Sequence, residues 1–202
     1  MSTLRLAPTL ALLVLAGCAS TQMTSIRDPS APARTYGRIL VIAPFSDLQS
    51  RMQAEQAFVQ LLGTRNIAAL PSILSFPPTR AYGEPDIARI LRDNQVDGVL
   101  VLRLTDASTE QVYIPPSAST TGTTTVVGNT LNYSVQTQYS GGFFVSKPRV
   151  RFELRLLDTL IGQTVWLATS LTRGNAYARF DTLMQSLAKA SLLKLHEDRM
   201  IK

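Results

Sequence analysis

Two short runs of nearly unbroken apolar sequence, Ile39-Leu40-Val41-Ile42 and Val99-Leu100-Val101-Leu102, limit the folds open to this chain. Neither alternates apolar with polar residues, and both are far shorter than the roughly 18 residues that cross a bilayer as a helix. Branched aliphatic residues in such a run suit a strand covered on both faces, which calls for a sheet with helices on its sides. The intervening sequence supplies them. From Asp47 onward Ala54, Phe58, Leu61 and Leu62 fall on one helical face, and Gly63 is placed to stop the helix. A weaker strand follows at 67–70. Four prolines make 71–85 an irregular connection. Glu84-Pro85-Asp86 then opens a second helix, where proline and acids suit the first turn, with Ile87, Ile90, Leu91 and Val96 facing inward. The order is β-α-β-α-β with a parallel core.

The second half has a different period. Val150, Phe152, Leu154 and Leu156 alternate with Arg151, Glu153 and Arg155, the pattern of a strand with one wet face. A turn from Asp158 to Gly162 joins it to Gln163-Thr164-Val165-Trp166-Leu167-Ala168-Thr169, which predicts an antiparallel hairpin. Met184, Leu187, Ala188, Leu192 and Leu195 form the packing stripe of a closing helix over 180–197. The fold class is α/β with a mixed sheet: a β-α-β-α-β unit, a β-hairpin and a C-terminal helix. Residues 37–202 form one domain.

Between the halves lies 117–147, rich in Ser, Thr, Gly, Val and Tyr and without charge before Lys147. Gly128-Asn129 suits a tight turn between arms at 123–127 and 130–135, and Leu131, Tyr133, Val135, Thr137 and Tyr139 alternate with polar residues. A low-complexity loop and a projecting hairpin are both open readings. The arms sit at the lower edge of the roughly 9 to 11 residues that a membrane strand needs.

The amino terminus fixes the compartment. Arg5, the apolar run from Leu10 to Leu15 and the small pair Ala16-Gly17 have the layout of a secretory signal over 1–17. Leu15-Ala16-Gly17-Cys18 resembles the lipobox of bacterial lipoproteins, whose cysteine is alkylated by diacylglycerol and becomes the mature amino terminus. Cys18 is the single cysteine, so a disulfide within one chain is excluded. Acyl chains contribute about 0.8 kcal/mol per buried methylene, so they hold a protein firmly on a membrane. The resemblance implies palmitate-type lipidation at Cys18, and Ala19 rather than Asp behind it implies the outer membrane, with the body in the periplasm. Residues 18–36, rich in Ser, Thr, Pro and Ala, read as a flexible tether of about 20 to 25 Å reach.

Charge narrows the partners. The chain has 20 Lys and Arg against 14 Asp and Glu, with no basic run interleaved with aromatics, which argues against nucleic acid. A mildly basic envelope protein favours anionic partners such as lipid head groups, peptidoglycan or polysaccharide.

Ile42-Ala43-Pro44-Phe45, Gln95-Val96-Asp97-Gly98-Val99-Leu100-Val101, and Asp158 with Gly162-Gln163-Thr164-Val165-Trp166 resemble the TolB amino-terminal-like and CsgG-like group of periplasmic lipoproteins. That group includes LpoB-like activators of penicillin-binding proteins and subunits of secretion or exopolysaccharide export assemblies. The resemblance spans most of 37–195 and departs at 71–85 and 117–147. It implies a noncatalytic protein of the cell envelope that binds or assembles.

The residues agree with that implication. His196, the one histidine, lies at a helix end beside Glu197 and Asp198, a solvated position. Glu84 and Asp86 belong to a helix start. No phosphate-binding glycine loop or nucleophile elbow is present, and no metal or cofactor is expected. Trp166 reads as a packing residue. The expected contact groups are Tyr113, Tyr133, Tyr139, Phe143 and Phe144, because tyrosines among small polar residues make adaptable, low-entropy contacts. The leading expectation is a membrane-anchored module binding an envelope protein, the peptidoglycan or polysaccharide machinery, or copies of itself. The rival is an oligomeric secretion or export component whose insertion lines a ring or pore. A cell-wall enzyme comes third.

Overall fold

A computed structural model describes residues 17–127 and 130–202, with the backbone alone over 122–127 and 130–135. Residues 1–16, which hold Leu15 and Ala16 of the expected lipobox, and Gly128-Asn129, where a turn is expected, lie outside the described residues, as does the Tyr133 side chain.

The first strand is a correction. Ala19–Arg27, expected within a flexible tether, forms β1 at the edge of the main sheet. Its odd-numbered residues turn inward and find partners: Thr21 meets the hydroxyls of Thr172 and Ser186 at 2.9 Å, and Ser25 donates to Asp198. The inward face of β1 is Ala, Thr, Met, Ser and Arg. It therefore carries none of the apolar alternation by which a half-buried strand is read.

The remaining elements follow in chain order. They are β2 (Arg38–Ile42), α1 (Leu48–Gly63), β3 (Ala68–Pro71), the single turn α2 (Ser72–Ser75), α3 (Glu84–Asp93), β4 (Gly98–Ile114), β5 (Ser117–Val127), β6 (Thr130–Ser140), β7 (Phe143–Asp158), β8 (Gln163–Gly174) and α4 (Phe180–Glu197). Asp47 caps α1, its carboxylate accepting from Ser50 N at 2.7 Å.

The main sheet has the order β1-β8-β7-β4-β2-β3. β2 runs parallel to both β3 and β4, and the β4–β7, β7–β8 and β8–β1 pairs are antiparallel, so the expected mixed α/β sheet is present. A separate ribbon pairs β5 with β6. Helices α1 and α4 cover one face, where Phe58, Leu100, Phe152, Leu154, Leu156, Trp166 and Met184 are buried. Each such side chain contributes about 1.5–3 kcal/mol by leaving water. On the other face α3 lies over β2 and β4 through Leu91, beside Leu40, Val96 and Val99, and buries no residue fully.

β4 and β7 are much longer than the apolar pattern predicts, which gave strands at 99–102 and 150–156. Beyond Val101 β4 loses β2 as a partner, and it continues along β7 to the pair Ile114–Phe143, with a bulge between Leu104 and Asp106. Outside the core no face needs burying, so nothing imposes an apolar period. The result is a two-stranded ribbon projecting from the body.

Candidate functional site

The motif residues named above build one polar knot at an end of the sheet. Asp158 is buried; its carboxylate accepts from Tyr36 Oη at 2.9 Å and Leu160 N at 2.7 Å, and Arg34 Nε stands 3.3 Å away. Gly162, at φ +66°, donates to Asp158 O and closes the turn, in a conformation that favours glycine. Asp97 accepts from the backbone N–H groups of Gly37 and Arg38, pinning the start of β2 to that of β4. Burial alone would raise the Asp158 pKa, but the Tyr36 hydroxyl, the Leu160 and Ile161 amides and Arg34 hold it below the ordinary carboxylate value. Burial, then the hydrogen bond to Asp158, pushes Tyr36 up to about 12. Both carboxylates and the Tyr36 hydroxyl are satisfied by neighbours, as in a structural clamp, whereas the Arg38 side chain leaves Nε buried without a partner.

The residues that offer themselves to a partner lie at the opposite end. Cys18 is exposed and directly precedes β1, its carbonyl accepting from Asn175 N at 2.9 Å. Gly17 sits against the Tyr177 and Ala178 backbone. Strand register fixes the height of Cys18: Ala19 pairs with Gly174, Ser20 with Arg173, Arg173 with Arg149, and Pro148 with Thr109. Ala19 thus stands level with Pro148 and Thr109, and Cys18 one residue further out, level with Lys147 and Glu110. From the level of Cys18 β4 and β7 run on to Ile114 and Phe143, a projection of about 13 Å at ~3.3 Å per residue.

The structure brings Tyr113, Phe143 and Phe144 together at the end of this projection, exposed by 49%, 53% and 67%. The Tyr113 and Phe144 rings lie 5.1 Å apart, and Ile114, which sequence reasoning missed, pairs with Phe143 on the opposite face. Tyr139 lies apart from them, on β6 opposite Ala118. Trp166 is buried and donates Nε1 to Asp198 at 2.6 Å, a packing role. The join between ribbon and β5–β6 hairpin is Pro115-Pro116 facing Gly141-Gly142. Gly141 has φ +106°, and a Cβ there would fall 2.3 Å from Pro115 O, so no other residue fits. The hairpin arms are 11 residues each, longer than the sequence pattern predicts.

One feature of this end was invisible in the sequence. Arg149 and Arg173 stand directly opposite each other on the sheet face away from α1 and α4, a like-charge pair that costs stability. The acids of that face are Asp106, paired with Arg151, Glu153, paired with Arg155, and Glu110, which stands opposite Lys147. Among the described residues no carboxylate pairs with Arg149 or Arg173. Only strand register reveals the pair, since 24 positions separate the two in sequence.

Among the described residues no helix is long and apolar enough to cross a membrane, and no three His, Cys, Asp or Glu side chains gather as metal ligands.

No protein-family model and no curated protein matches the chain. Solved structures do resemble it. A variant of PelC from Paraburkholderia phytofirmans, a dodecamer, aligns over 90% of this chain and 99% of its own, with TM-score 0.51 and 13% identity. Lipoprotein GNA1162 from Neisseria meningitidis aligns over 80% of this chain and 99% of its own, with TM-score 0.41 and 17% identity.

Proposed function

We propose that the chain is a bacterial outer-membrane lipoprotein, exported by residues 1–17 and lipid-anchored at Cys18. Its periplasmic body acts as a noncatalytic module that assembles with copies of itself and with an envelope partner. The observation that carries this reading is the ribbon. Past Val101 on β4 and before Arg149 on β7, each strand has only the other as partner, so both outer edges present unpaired backbone groups. Folded proteins normally blunt such edges with charge. Residues 111–146 contain no Asp, Glu, Lys, Arg or His. Past Glu110 and Lys147 the edge has no such protection and is built to be covered. The PelC dodecamer, which shares the fold, supports a second copy as what covers it.

A second reading, in which the hairpin lines a ring or pore, draws on the length of β5 and β6: 11 uncharged residues per arm match the roughly 9 to 11 of a membrane strand. Light scattering of detergent-extracted protein tests assembly. A mass several times that of one lipidated chain is expected, and a strict monomer would overturn self-assembly. Metabolic labelling with a palmitate analogue tests the anchor: wild type takes the label and Cys18→Ser does not.

A further inference from the structure

We infer that the root of the ribbon is a second, noncovalent membrane contact, in which Arg149 and Arg173 meet anionic lipid head groups while Tyr113, Ile114, Phe143 and Phe144 enter the interfacial layer beyond them. The inference rests on lipid attachment at Cys18.

A lipidated Cys18 lies at the surface of its leaflet, and Ser20 beside it pairs with Arg173, which pairs with Arg149. With β1 an ordered strand and not a tether, the sheet cannot drift away from that surface. The arginine pair is held at head-group height. Basic groups are attracted to an anionic surface, and this offsets the repulsion between two facing guanidinium groups. Arg179 and Tyr177, both exposed, lie at the same end.

Beyond the cations the ribbon changes character. Tyr113 and Phe144 are three residues past the level of Cys18, about 10 Å further on, a depth that interfacial apolar groups reach. Tyr113 and Phe144 share the face of Val150, whereas Ile114 and Phe143 share the face of Arg149. A protein docking on a ribbon covers one face. Apolar groups on both faces, free of charge from 111 to 146 and preceded by the Glu110–Lys147 pair and then the two arginines, match the interfacial layer, where aromatic rings gather and water still reaches the open strand edges.

The test uses the lipidated full chain in vesicles of phosphatidylethanolamine and phosphatidylglycerol whose acyl chains carry bromine. Trp166 is the only natural tryptophan and is buried, so it serves as an internal reference. Phe144→Trp, at an exposed position, should emit at shorter wavelength and lose most of its added emission to the bromine, with Trp166 emission unchanged. Replacing phosphatidylglycerol by phosphatidylcholine, or introducing Arg149→Gln with Arg173→Gln, should weaken that quenching at least several-fold. Unquenched, water-exposed emission from vesicle-bound protein would overturn the inference. Quenching indifferent to lipid charge and to both arginines would overturn the head-group contact. The palmitate label, read separately on the same protein, reports the anchor: quenching without label would sink the lipobox reading and leave the ribbon contact standing.

Discussion

Asp158 and Glu55 are carboxylates taken out of water and kept there by neighbours. Glu55 is fully buried; it accepts from Ala43 N, Arg51 Nε, Ser72 Oγ and Ile73 N, and so ties β2, α1 and the start of α2 together. Glu55→Ala leaves the Arg51 guanidinium with the Ser72 hydroxyl but without its carboxylate and should cost about 3–5 kcal/mol in urea unfolding. Asp158 gives a pH signature. Its pKa is lowered in the folded chain, so the stability it contributes is present above 3.8 and is lost as pH falls below that value. Tyr36 works in the opposite sense, its preference for the neutral phenol being present below pH 10.0 and lost as pH rises toward about 12. Tyr36→Phe should lower stability at neutral pH by about 1–3 kcal/mol, because Asp158 loses a buried donor. It should also flatten the alkaline decline in stability, and an unchanged alkaline slope would show that Tyr36 is not its source.

At the scale of elements, legibility follows burial. β2, the buried start of β4, the turn from Asp158 to Gly162 and the stripe of α4 are readable because each must hide apolar side chains, which imposes a period on the sequence. β1 and the outer halves of β4 and β7 hide little, so their sequences are free of that constraint and pass for coil. β1 nevertheless completes the sheet. Deleting residues 19–27 strips one edge of β8 and removes the hydroxyl partners of Thr172 and Ser186, so the melting temperature should fall by several degrees, as for a loss of about 1–3 kcal/mol. A truncated chain that melts like wild type would restore the tether reading. Helix α3 differs from its neighbours. It buries no residue, leaves Ile87 39% exposed and rests on the sheet through Leu91. Its amides should exchange with deuterium well before those of α1 and α4, through local opening.

For the whole molecule, the division of labour is between a body that closes on itself and a ribbon that does not. The aromatic residue types of the ribbon were legible in the sequence, but their placement was not. It depends on a register that levels Cys18 with Lys147 and on the facing of Arg149 with Arg173, pairings between residues far apart in the chain. The same register prescribes how to remove the ribbon's outer part cleanly. Ile114 and Phe143 are direct cross-strand partners, so residues 115–142 can be replaced by a two-residue Asn-Gly turn that closes β4 onto β7 without changing their pairing. The excised residues include all of β5 and β6, which pair only with each other, and no member of the buried core. Loop closure across two residues costs less entropy than across the natural 28, so stability should be retained or slightly raised. The shortened protein should melt within a few degrees of wild type and still take the palmitate label. If the hairpin mediates assembly, its detergent-extracted mass should drop to that of one chain. Quenching at Phe144→Trp should persist, since the cations and the aromatic end remain. A shortened protein that keeps its full assembled mass would place self-association on the remaining edges of β4 and β7 or on the body, and leave the hairpin some other occupant.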